Sequence, residues 1–357
     1  MPQTLTSALA ETHHLLVLAP DIDVTEIAIL ASTRWRGVER EMGEITLSRY
    51  SSLFGPYTVG AGLGPSLGLP RGLNQAWMAT TLTERGDRPF PGSLDPAGVS
   101  RAFPTGLPVR EERRVVDFLV AAARRLGGVV RFHGSGVMVA PVPDGALDLT
   151  VYSPLWLEPE AALATARSVV PLFDLAINWH SFAPVAPADE TSDSFDQWPD
   201  SGSGAFPEGL QGQAAHEGGA GSGGLPGDLS ATRLAELHAH ADQRDQAALA
   251  QQPSLDRYAL AADLGPAGGL VIEISGVDRP PLALREVDWA AEGAVAYNVR
   301  WIPDDPKHLL MEFPPADHCR ARSQMATLLA SLARIIHHTV GGEVLDADAF
   351  PIDPTDL

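Results

Sequence analysis

Cysteine, lysine and long apolar runs are all nearly absent from this chain. One cysteine, Cys319, occurs in 357 residues, which excludes an intramolecular disulfide framework and a thiolate-based zinc site. No stretch approaches the roughly 18 apolar residues of a membrane-spanning helix. Met1 to Glu11 has neither a basic flank nor an apolar run, so no secretory segment is expected and a cytoplasmic location is. Lys307 is the only lysine; the other basic residues are arginine, and Ala, Gly and Pro abound, a bias expected of a bacterial genome of high GC content.

The formal charge is −20. Ser181 to Gln252 carries eleven acidic and two basic residues, and Gly342 to Leu357 carries five acidic ones. What remains is mildly acidic, without the basic footprint that phosphate-backbone binding demands, so a nucleic-acid ligand is not expected. A hydrophobic content of 45% suffices for real cores.

The two ends follow one plan. A helical run from Arg110 to Leu126 ends at Gly127-Gly128 and passes into Val129-Val130-Arg131-Phe132; a helical run from Asp317 to Val340 ends at Gly341-Gly342 and passes into Glu343-Val344-Leu345. Paired glycines suit helix C-terminal caps, where a left-handed residue is needed; one glycine of each pair is expected to resist replacement and the other to accept it. Both copies also open alike, Leu15 to Leu18 leading to a helix from Val24 to Ala31 and Leu149 to Tyr152 leading to a helix from Pro159 to Val170. Asp23 and Glu26 have capping-box spacing, and Pro159 suits a first helical residue.

Between these landmarks, strands are expected at Glu44 to Ser48, Tyr57 to Val59 and Ala76 to Leu82, then at Arg257 to Asp263, Leu270 to Ser275, Ala294 to Trp301 and Leu309 to Phe313. Connections too short for parallel crossovers make the sheets antiparallel. Arg85 to Pro108, with its prolines and glycines, reads as a long surface connection. The fold class is therefore α+β, an internally duplicated strand, helix, strands, helix, strand unit with helices on one face of each sheet. The first copy spans 12–145 and the second 146–180 plus 253–350. An acidic Gly/Ser/Pro-rich insert, 181–252, divides the second; its composition predicts disorder, with a short helix from Ala231 to Gln251.

Individual chemical signals are weak. His133-Gly134-Ser135-Gly136 after a strand could present N–H groups as an oxyanion hole, but no G-x-S-x-G elbow accompanies it and a tight turn explains it better. His238, His240 and Asp242 would point apart on a helix. Asp346, Asp348 and Asp353 lack the glycine and closing glutamate of a calcium loop, which leaves charge solvation. Gly60, Gly62 and Gly64 lack the following Lys-Ser/Thr of a phosphate loop. His318 and Cys319, adjacent on a helix, cannot form a dyad, and His337-His338 suit the negative end of their helix. No cofactor or metal is expected. The leading expectation is a non-enzymatic interaction or regulatory protein with a protein partner, for example an immunity-like protein that neutralises a cationic enzyme. The alternative is a small-molecule binder or enzyme with its site between the copies, drawing on Arg131, His133, Glu312 and His318.

Overall fold

The computed structural model describes residues 3–92, 94–176 and 257–357. Its first sheet contains β1 (Gln3–Thr4), β2 (His14–Leu18), β3 (Glu39–Glu41), β4 (Glu44–Ser48), β5 (Ser51–Thr58), β6 (Gln75–Thr80), β7 (Val129–Arg131) and β8 (Met138–Val139). The order is β3-β4-β5-β6-β2-β7-β8, with β1 added to β5. The second sheet contains β9 (Leu149–Ser153), β10 (Asp174–Leu175), β11 (Arg257–Asp263), β12 (Gly269–Val277), β13 (Ala294–Ile302), β14 (Glu343–Asp346) and β15 (Pro351–Ile352), in the order β10-β11-β12-β13-β9-β14-β15. The two orders correspond strand for strand. In each, a four-strand meander runs up to the opening strand, and the closing strand pairs on its other side. This is an α+β fold built from a duplicated unit, antiparallel except for the β1–β5 pairing.

The helices obey local signals. Asp23 and Glu26 form a capping box at the start of α2 (Val24–Ser32), which follows the short α1 (Ser7–Thr12). Beyond α3 (Leu63–Ser66) and α4 (Val99–Ala102), α5 (Arg110–Arg125) buries Val115, Val116, Leu119 and Ala123 along one stripe. Pro159 opens α6 (Pro159–Arg167), and α7 (Ala316–Val340) buries Met325, Leu329, Leu332 and Ile336. Alternation in β2 sends Leu16 and Leu18 into the core beneath α2 and α5, while Leu15 and Val17 face a smaller cluster with Leu5, Ala10 and Val59. The core of the second copy gathers Val151, Leu260, Ile272, Tyr297 and Val344 under α6 and α7.

Both glycines of each helix-ending pair are constrained, so neither pair has the freely replaceable member expected from sequence. Gly127 and Gly341 hold φ of +65° and +68° in open space. Their followers meet the opening strand instead. A Cβ on Gly128 would lie 2.6 Å from the Val17 carbonyl oxygen, and one on Gly342 would overlap the Tyr152 carbonyl.

Three other expectations change. Leu309 to Phe313 is not a strand: Asp305 caps a 3₁₀ turn at Pro306–Leu310, and Leu310 and Phe313 stay exposed. The connection from Arg85 to Pro108 is not wholly superficial, because α4 and the following residue bury Val99, Ala102 and Phe103. The acidic C-terminal segment is only in part a set of solvated charges: Asp353 is exposed as expected, whereas Asp346 and Asp348 are tied into the fold. Asp348 pairs with Arg124 of α5 and Arg34, and Phe350 enters the core of the first copy against Phe118 at 6.5 Å. A reciprocal link runs from Asp144, in the connection between copies, to Arg322 at 3.0 Å and Ser323 at 2.8 Å on α7. The insert, its expected helix and the His238, His240, Asp242 string lie outside the described residues. No helix among the described residues is long and apolar enough to cross a membrane.

Candidate functional site

Among the described residues, a buried cluster of titratable groups lies where β2 begins and α5 starts its first turn. His14 shares the inward parity of Leu16 and Leu18, and Glu112 falls one turn before Val115 and Val116 on the buried stripe of α5. Both are essentially inaccessible, at 1% and 0%. Buried polar groups must find partners, and these do. The His133 backbone N–H donates to His14 Nδ1 at 3.2 Å. That nitrogen therefore carries no proton, which puts the proton on Nε2, where it is donated to Glu112 Oε1 at 3.3 Å. The Glu84 N–H donates to Glu112 Oε2 at 2.8 Å, and the Arg85 guanidinium pairs with Oε1 while lying 4.4 Å over the Phe103 ring.

Burial alone would raise the Glu112 carboxyl, but the hydrogen bonds from His14 and the Glu84 N–H, together with the Arg85 charge, hold it below its ordinary value. The His133 imidazole is pushed down to about 4, first by burial and then by His14 and Arg85, so it is neutral at physiological pH.

His14, Glu112 and His133 place one ligand atom each within 4.8 Å of one another, a spacing that a metal ion could bridge. Their hydrogen bonds oppose that use. His14 has one ring nitrogen accepting and the other donating, Glu112 Oε1 already receives two donors, and a dication would sit beside the Arg85 charge in an apolar surround. Chemically, the arrangement is an imidazole, carboxylate and guanidinium in series that ties β2, α5 and the Glu84–Arg85 segment together. The His133–Gly136 loop is the tight turn joining β7 and β8: Ser135 N–H donates to the His133 carbonyl at 3.0 Å and Gly136 N–H to the Phe132 carbonyl at 3.0 Å. Those N–H groups, with that of His133, are committed internally rather than aimed at a developing oxyanion.

The four residues singled out from sequence have different surroundings. Arg131 donates to the Ala10 carbonyl at the end of α1. His133 joins the cluster just described. Glu312 forms a bidentate pair with Arg101, Nη2 to Oε1 being 2.6 Å, against Gly98 and Val139. His318 is buried 5.0 Å from the Trp301 ring and 5.4 Å from the His308 ring. Burial first, and then Arg322 and His308, push its imidazole down. His337, given no ligand role, meets the Gly342 carbonyl at 3.2 Å. His14, Glu112 and Arg85 were missed, although a glutamate on the apolar stripe of a helix and a histidine at an inward strand position are both readable signals.

A shallow groove lies between the copies. Leu94, Asp95, Ser100 and Arg101 from the first and Met311, Glu312 and Phe313 from the second line it. Phe313 is 74% exposed and Leu94 48%. Asp95 accepts from the Ala97 and Ser100 N–H groups, which fixes the wall holding Arg101. Compared with protein-family models, curated proteins and solved structures, the chain finds no match.

Proposed function

We propose that this chain is a protein-binding module whose docking face is the groove between its two copies. The observation that carries the reading is the pair of exposed apolar side chains, Phe313 and Leu94, contributed by different copies to one groove whose charged Arg101–Glu312 pair is already satisfied. An open apolar surface of this kind suits a segment of a partner protein better than an enclosed small molecule. The partner segment carries a basic group at this face, because Asp95 lies within the groove beside the already paired Arg101 and Glu312. An enzymatic reading has less support, since the buried His14–Glu112 pair spends its hydrogen-bonding capacity on the scaffold.

A benzophenone side chain at position 313 tests this in lysate of the source organism, with the exposed hairpin residue Met42 as the control position. A discrete protein adduct from 313, absent from 42, weakened by salt and competed by the unmodified chain but not by a Phe313→Ser, Leu94→Ser variant, is expected. Identical adducts from both positions, or none from 313, would refute the docking face.

A further inference from the structure

Two histidines bracket the second copy's side of the groove. His308 sits in the 3₁₀ turn Pro306–Leu310 and His318 in the first turn of α7, with Met311, Glu312 and Phe313 strung between them. The two rings meet edge to face at 5.4 Å, which closes this short segment on itself, and the His318 ring also lies 5.0 Å from that of Trp301 on β13. Pro314 and Pro315 stiffen the link into α7, so a displacement of the 3₁₀ turn is passed on to the rim.

Nothing around His318 accommodates a positive charge. The residue is 6% exposed, and its Nε2 is buried without a hydrogen-bond partner. An imidazolium carries N–H on both nitrogens, so protonation would put a buried donor at Nε2 with no acceptor. The acids that face it are committed elsewhere. Asp144, from the connection between the copies, pairs through Oδ1 with Arg322 at 3.0 Å and accepts from Ser323 at 2.8 Å through Oδ2. Asp305 accepts the Lys307 N–H at 3.0 Å through Oδ1, and its Oδ2 lies 3.6 Å from His308. Asp317 is exposed and paired with Arg320, and Lys307 is exposed. Burial, then Arg322 and His308, hold the His318 imidazole below its ordinary value.

We propose that His308 and His318 form an acid-operated release for the Met311–Phe313 rim, which assembles the groove near neutral pH and withdraws one side of it in acid. The inference rests on that groove being the docking face. The assembled rim keeps His318 neutral, and the released rim lets it protonate in water, so opening takes up a proton. The assembled state is therefore fully favoured above about 6.5, the ordinary imidazole value, and loses ground as pH falls below it. Two imidazolium rings 5.4 Å apart then repel, the 3₁₀ turn leaves α7, and Glu312 and Phe313 are drawn away from Arg101 and Leu94.

Trifluoromethylphenylalanine at position 313 of the full chain, followed by fluorine NMR from about pH 8 to about pH 5 without any partner, reads the rim directly. Far-UV circular dichroism reads the fold as a whole. The 313 resonance should shift with a midpoint below about 6.5 while the dichroism holds steady. His318→Leu, which cannot take up a proton, should abolish the shift. His308→Gln removes one of the two repelling charges and should lower the midpoint by roughly half a pH unit or more. A resonance that does not move, one that moves only together with the dichroism, or a midpoint unchanged in both variants overturns the release. Should His318→Leu not fold, His308→Gln decides. A rim that moves while position 313 yields no adduct in lysate would uphold the release and remove the docking face; adducts with a motionless rim would do the reverse.

Discussion

The third residue of the long helix is Glu112 in one copy and His318 in the other, and both turn inward. Around Glu112, three donors converge and both carboxylate oxygens are occupied. His318 rests against Trp301 and His308 with Nε2 unpartnered. Strand order, helix-ending glycines and opening strands correspond between the copies, while this buried polar position does not. Backbone geometry is what the repeat shares; a buried side chain at the same place is bound only by the need to satisfy its own neighbours.

The strongest way to break the comparison is to remove Glu112. Glu112→Ala leaves Arg85 and His14 without their carboxylate and should cost about 3–5 kcal/mol, as loss of one partner from a buried ion pair does. Urea unfolding measures it, and a loss no greater than that of a surface substitution would mean the cluster is not a tie. Next come the glycine pairs. Alanine at Gly342 or Gly128 should cost more than about 2 kcal/mol, because a Cβ clashes with the opening strand at both and positive φ adds strain at Gly342, whereas alanine at Gly341 or Gly127 should cost about 1 kcal/mol from positive φ alone. Equal costs within each pair would show that the opening strand yields.

Acid should then expose a likeness between the copies. His133 and His318 are both held below the ordinary imidazole value, so between pH 6.5 and about 4 the unfolded chain binds protons that the folded His133 refuses. The stability His133 permits is complete above 6.5, is lost as pH falls through that window, and levels off near 4. His133→Gln should flatten the slope, which unfolding at a series of pH values would reveal; an unchanged slope would assign it elsewhere. Glu112 acts further down, its contribution present above the ordinary carboxylate value and lost as pH falls through its depressed native value. The smallest effect belongs to His318→Leu. It removes an orphaned nitrogen and should alter stability by no more than about 1 kcal/mol in either direction, in contrast to Glu112→Ala. A loss comparable to that of Glu112→Ala would reveal a partner for Nε2.

Legibility in the sequence follows the range of the force concerned. Asp23 with Glu26, Pro159 and the left-handed Gly127 and Gly341 act within a turn or two and read correctly, whereas the close approach of Gly128 and Gly342 to the opening strands was not legible. Leu309 to Phe313 misled because short apolar runs suit strands, yet Asp305 and Pro306 set a tight turn there and Pro314-Pro315 follows. The candidate cluster was hidden for a different reason: His14 and Glu112 are 98 residues apart, and only the packing of α5 on β2 makes them neighbours. Asp348 is the extreme case, since nothing near it in sequence announces Arg34 or Arg124.

That last contact governs how the chain is assembled during synthesis. Arg124 leaves the ribosome 224 residues before Asp348, so the first copy must build its helix layer while its final lock does not yet exist. Until Phe350 arrives, Phe118 lacks one of its aromatic neighbours and Arg34 lacks the carbonyl it donates to. The helix layer of the first half is thus translated early, while three of its native contacts wait for residues 348–350.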